Sequence, residues 1–239
     1  MLAIFKKEFN SFFTSTIAYL TIGIFLLING LFLWVFDDGF NILNAGFADL
    51  TSFFYLAPWI LIFLIPAITM KTFADEFRSG TIEILKTRPI TNVTLVLGKF
   101  FAILTLLIIV LIPTFVYVYS IHELGNPVGN LDYGSISGSY LGLFLLASSF
   151  ASIGIFTSTL TKNQVVAFLL GICIVFLFYY GFDAVSSLFG DYSYTIKLFG
   201  MNEHYKSISR GVIDSRDVLY FMSIIIFFLF VSKQKLTNE

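Results

Sequence analysis

The residues able to do chemistry in this chain are few, and one short segment holds a dense group of them. Residues 70–90 carry seven of the 29 formal charges: Lys71, Asp75, Glu76, Arg78, Glu83, Lys86 and Arg88. Elsewhere the reactive types are scattered. His122 and His204 lie in separate polar segments, and the single cysteine, Cys173, sits inside an apolar run. One cysteine allows no intrachain disulfide, and two distant histidines do not make the ligand spacing of a metal site. No Ser-His-Asp order suited to nucleophilic catalysis occurs. No G-x-x-x-x-G-K-[ST] loop able to cradle the phosphates of ATP occurs either. Recognition, rather than bond-making, is the chemistry residues 70–90 offer.

The order of residues within that segment reads as helix, break, helix. Phe73 and Phe77 stand four residues apart, with Asp75, Glu76 and Arg78 around them. Gly80 suits the left-handed position that ends a helix. Thr81 suits the cap of a following helix, with Glu83 in its first turn where negative charge is favoured. Ile82, Ile84 and Leu85 come next, and Thr87-Arg88-Pro89 closes the element. A solvated loop needs no such order. A rigid elbow with an apolar knob and charges of both signs fits docking to another protein, the apolar part filling a cleft and the charges setting register.

The elements that must hold this elbow are apolar. Of 239 residues, 57% are hydrophobic and 12% charged, with a mean hydropathy of +0.89. A soluble domain carries about a quarter charged residues, and runs of about 20 apolar residues match the bilayer core. Six such runs are predicted at about 17–36, 53–70, 94–119, 140–160, 165–182 and 218–232, the last the shortest. Pro113 is expected to kink the third run, and Pro66 to do the same in the second. The first run follows Lys6 and Lys7, is longer than the core of a signal peptide and has no small-x-small site, so it reads as a retained span.

Charge placement sets the orientation. With the N-terminus in the cytoplasm, ten of the fourteen basic residues fall on the inner side or at its edge: Lys6, Lys7, Lys71, Arg78, Lys86, Arg88, Lys99, Lys162, Lys233 and Lys235. The outer segments 37–52 and 120–139 hold none, while 183–217 holds the other four. The positive-inside rule therefore puts both termini in the cytoplasm. Within the runs only Lys99 is charged, which argues against a proton relay of buried carboxylates and histidines. The fourth run is rich in small residues, among them Gly142, Ala147, Ser148, Ala151, Ser152, Gly154 and Ser158, and these read as close helix packing.

Two amphipathic stretches flank the spans. In residues 1–13, Leu2, Phe5, Phe9 and Phe13 share one face and Lys6, Lys7, Glu8 and Asn10 another, which suits a helix at the inner interface with its lysines near headgroups, or one packed on a partner. Before the last run, Leu198, Met201, Tyr205, Ile208 and Val212 recur at helical spacing, with Arg210 on the polar side, which suits a helix at the outer interface. Gly211 can end it, and Asp214 can cap the last span with Asp217 at its third position.

The run 76–85, followed by Pro89 and Gly98-Lys99, resembles the coupling segment of ABC-2 type permeases, and the resemblance covers the whole chain in its order of features. It implies an all-α polytopic membrane protein of one transmembrane domain (1–239), with six spans, an N-terminal interfacial helix, a cytoplasmic coupling helix between spans 2 and 3, and an outer amphipathic segment before span 6. It implies that Asp75, Glu76, Phe77, Arg78, Gly80, Thr81, Glu83 and Leu85 dock on a separate cytoplasmic ABC ATPase dimer that binds the ATP and magnesium, this chain holding neither and not being itself an enzyme. It also implies a bacterial inner membrane, a second permease copy or related membrane chain, and no nucleic acid. Residues 202–221 are similar to the segment before the sixth span in gliding-motility-associated ABC permeases of Bacteroidetes. That subfamily adds the expectation of a membrane partner with a large periplasmic domain. A non-transporting membrane scaffold or anchor for a cell-envelope machine is the competing class, distinguished by hydrolysis that no substrate stimulates.

Overall fold

Six helices are long and apolar enough to cross a membrane: Ile17–Val35, Thr51–Ser79, Asn92–Leu124, Tyr133–Thr159, Gln164–Ser186 and Ser215–Asn238. They come from a computed structural model that describes residues 1–44, 46–87 and 90–238, and among these all regular structure is helical. Each predicted apolar run lies on one of the six. The sixth, predicted at about 15 residues, is a helix of 24. Hydropathy missed its polar ends: Asp214 caps it by accepting from Arg216 N at 2.9 Å, and its last turn carries Lys235.

The two prolines behave differently. A 3-10 turn at Ile112–Thr114 interrupts the third span at Pro113, as expected. The second span does not break at Pro66. Its first helix, Thr51–Thr69, runs through both Pro58 and Pro66, and the interruption falls after them at Met70. Thr69 Oγ1 donates to Ile65 O at 2.9 Å and Met70 N to Pro66 O at 2.9 Å, so helical hydrogen bonding resumes directly after the proline.

The fourth span forms the centre of the bundle, with 83% of its most apolar window buried, and packs on the second, third, fifth and sixth. Its small residues are there for contact. A β-carbon on Gly154 would overlap Thr69 Oγ1 and stand 2.9 Å from Thr69 Cβ, and one on Gly138 would lie 2.6 Å from Ile208 O. The first and fifth spans are the least covered, at 28% and 22%.

Both amphipathic helices turn toward the protein. The N-terminal helix Leu2–Thr14 packs along the third span, where Gly98 leaves room for Ile4, whose Cβ would stand 3.0 Å from an added β-carbon. Ile4 and Phe12 are buried, Phe5, Phe9 and Phe13 half-buried, and Leu2 fully presented. The outer helix Met201–Ser209 differs from the expected interfacial one: Met201, Tyr205 and Ile208 are buried against the fourth span, and Tyr205 donates to Phe54 O at 2.8 Å. Arg210 caps its end exposed, and Gly211 follows at φ +87°, which favours glycine.

Candidate functional site: the elbow and its buried ionic joint

After the turn at Met70 the second span continues as the helix Lys71–Ser79, then reverses at Gly80 into the short helix Thr81–Lys86. Gly80 has φ +71°, the left-handed conformation expected of it. The second helix starts one residue earlier than expected. Gly80 itself takes the capping position and Thr81 is the first helical residue, its hydroxyl 2.9 Å from Ser79 Oγ. Glu83 lies in the first turn. Arg88 and Pro89, expected to end the element, lie outside the described residues.

The elbow has an inward and an outward face, and the eight residues singled out in the sequence divide between them. Arg78, Gly80, Thr81 and Glu83 are exposed, and neither Arg78 nor Glu83 forms an ion pair among the described residues. Phe77 and Leu85 are half-buried against the core, and Asp75 accepts a hydrogen bond from Gln164 at the start of the fifth span. Glu76 belongs to the interior: it is 7% exposed and cannot sit on a docking face. The large apolar side chain on the outward face is Ile84, 60% exposed, whereas Leu85, named by the resemblance, is half-buried. Beside the knob a cleft of ≈ 440 Å³ runs between the elbow and the loop after the fourth span, lined by Phe77, Ile82, Glu83, Leu160 and Lys162 among others.

Glu76 is turned inward by Lys99, which is 1% exposed in the third span. Lys99 Nζ donates to Glu8 Oε1 at 3.0 Å and to Thr72 O at 2.6 Å, forms an ion pair with Glu76 Oε1 at 2.9 Å, and stands 4.8 Å from the Phe73 ring. Lys7 adds a second cation, 3.2 Å from Glu76 Oε1 and 3.6 Å from Glu8 Oε1. Burial acts to lower the pKa of Lys7, but Glu76 and then Glu8 outweigh it and the net shift is upward. Two cations and two anions leave the cluster neutral, the condition under which charges tolerate a low-dielectric site. Glu76 Oε2 is buried without a partner. On the N-terminal helix Glu8 is drawn inward to Lys99, while the Lys7 side chain stays 59% exposed.

The joint ties three chain segments to one point: the N-terminal helix through Glu8 and Lys7, the elbow through Glu76 and Thr72, and the third span through Lys99. Phe73, fully buried, and the Asp75–Gln164 bond add the fourth and fifth spans. The elbow is thus fastened to the N-terminal helix and to the third, fourth and fifth spans. At the opposite end, sequence reasoning also missed a pair. His204 Nδ1 stands 2.6 Å from Asp217 Oδ1 and its Nε2 2.9 Å from Leu198 O, fastening the outer helix to the last span. Tyr205 and Ile208 are part of that packing, and Arg210 is left at the rim.

Residues 2–209 match the family model of the ABC-2 family transporter protein. The chain belongs to the ABC-2 family. Membership makes it a multi-pass membrane permease subunit of an ABC exporter, distinct from the ATPase, and implies an ABC ATPase as partner. No curated protein matches it.

Proposed function

We propose that this ABC-2 permease couples ATP hydrolysis on a separate ATPase dimer to movement of its own spans, through the elbow Lys71–Lys86. The observation that carries the reading is the elbow's two-sidedness. Arg78, Glu83 and Ile84 face out, Arg78 and Glu83 with no ion pair among the described residues, while Glu76 on the same element is paired with Lys99. Closure of the ATPase dimer, which holds the ATP and magnesium, would press on the outward face. The buried joint would pass that displacement to the third span and the N-terminal helix. Asp75, Phe77, Gly80, Thr81 and Leu85 shape and brace the contact, and Glu76 transmits rather than docks.

The same reading places the elbow and both termini in the cytoplasm of a bacterial cell, with the chain in the inner membrane, supported by the distribution of lysine and arginine. A second permease copy or a related chain completes the path, supported by the exposed apolar faces of the first and fifth spans. Placement in a gliding-motility type system, with its periplasmic-domain partner, rests on the resemblance of residues 202–221 alone. The test is a photo-crosslinking amino acid at Ile84 or Glu83, with Phe73 as the buried control. Crosslinks to a P-loop ATPase from the first two sites and none from the third support the reading. Equal labelling from all three would overturn it.

A further inference from the structure

At the end of the bundle opposite the elbow, a cavity of ≈ 450 Å³ opens between the start of the second span, the start of the fourth and the outer helix. That volume is within the range of small-molecule sites. Its floor is aromatic and buried: Phe54, Tyr179 and Tyr205, with Asn202 beside them. Its mouth carries two carboxylates, Asp49 and Asp132, and two cations, Lys206 and Arg210, all four exposed.

These four charges do not neutralise one another. Among the described residues none of them pairs with another of the four, and the one ion pair any of them makes is a long one, Lys206 to Asp183 at 3.9 Å. The two carboxylates are nevertheless held in place. Asp49 Oδ1 accepts from Thr51 N at 3.2 Å and Asp132 Oδ1 from Ser135 N at 3.1 Å, each at the start of a span. Oδ2 of each is left for another donor. Fixed anions and cations that are not paired with them, around one apolar cavity, suit a ligand bearing both charges. A purely anionic headgroup would meet two carboxylates, and a purely cationic one would meet Lys206 and Arg210.

We propose that this cavity binds the headgroup of a zwitterionic phospholipid, its phosphate on Lys206 and Arg210 and its ammonium on Asp49 and Asp132. The start of an acyl chain lies over Phe54 and Tyr55. Guanidinium and ammonium groups are the usual phosphate partners, and the ammonium–carboxylate contacts are charge-assisted as well. The inference deepens the permease reading by naming a ligand, and rests on it for the membrane setting.

The test uses the purified chain in detergent, without ATPase or nucleotide, so that its failure leaves the elbow untouched. Binding of dioctanoyl-phosphatidylethanolamine and dioctanoyl-phosphatidylglycerol is followed by native mass spectrometry. The ethanolamine lipid should bind about tenfold tighter, the size of one charge-assisted contact. Asp49→Asn with Asp132→Asn keeps both capping oxygens and should bring the two affinities together. Arg210→Gln, a change at an exposed residue, should weaken both lipids. Equal affinities in the unaltered chain, selectivity that survives the double substitution, or no effect of Arg210→Gln would overturn the proposal. Glycerophosphoethanolamine binding as tightly as the lipid would also overturn it, since the site would then take a soluble phosphate ester.

Discussion

Replacing Lys99 with methionine should be among the most damaging single changes in this chain, and the reason can be worked through. Lys99 meets two carboxylates at 2.9 and 3.0 Å. At an effective dielectric of about 20, each contact is worth roughly 5 kcal/mol of Coulomb energy, much of it offset by the desolvation of the charges. Methionine fills the same volume but leaves Glu76 and Glu8 facing each other, with side chains only 10% and 13% exposed and only the half-solvated Lys7 between them. Breaking a buried pair from one side costs about 3–5 kcal/mol, because the partner's charge is stranded. Thermal unfolding of the detergent-solubilised chain measures the loss, and hydrogen exchange across residues 71–86 locates it. Adding Glu76→Gln should return more than half of it, since a neutral carboxamide no longer needs the cation. If the two substitutions instead cost the sum of their separate effects to within about 0.5 kcal/mol, the residues do not act as a unit and the buried joint transmits nothing.

Other expectations concern packing, titration and the outward face. Gly154→Val should destabilise by about 1–3 kcal/mol through overlap with Thr69, and Thr69→Ala should recover part of that in the same unfolding assay. The upward shifts of Lys7 and of Tyr205, whose cause is burial, act in one direction with pH. Both groups hold their protons longer when folded, so their stabilisation is complete below pH of about 10 and is lost as pH rises through the folded values. An alkaline unfolding series should therefore show earlier loss of stability than one on Tyr205→Phe with Lys7→Gln. Ile84→Asp should leave the melting temperature within about 1 °C, as expected for a solvent-facing position, while weakening binding to the ATPase.

The parts of this account visible in the sequence were those set by local rules. The six spans follow from apolar run length, Gly80 from the need for positive φ at a helix reversal, and Asp214 with Asp217 from the chemistry of a helix start. The interrupted third span follows from Pro113. What the sequence hid depends on segments far apart in the chain. Glu76 is one acidic residue among four consecutive polar or charged neighbours of Phe77, and nothing local says that it turns inward. Its partners are Lys99, 23 positions on, and the N-terminal helix, with Lys7 69 positions back. Lys99 did carry a signal, as the lone charge in an apolar run, and such residues are expected to find partners inside the bundle. The partners themselves were invisible. The outer helix misled for the same reason: its apolar stripe is real, but periodicity cannot tell whether lipid or the fourth span covers it. Which of Ile84 and Leu85 faces out was not legible either, because the second elbow helix is too short for its face to be read without knowing where the first one ends.

The central claim is that the outward face of the elbow is the seat of the ATPase, and the most direct measurement is co-purification. The tagged chain, extracted under conditions that keep the complex intact, should bring down a P-loop ATPase at one copy per permease. Arg78→Glu with Glu83→Arg, both solvent-facing and without an ion pair among the described residues, should abolish that recovery while the melting temperature of the permease is unchanged. An ATPase that stays bound to the charge-reversed chain at the same stoichiometry would contradict the account.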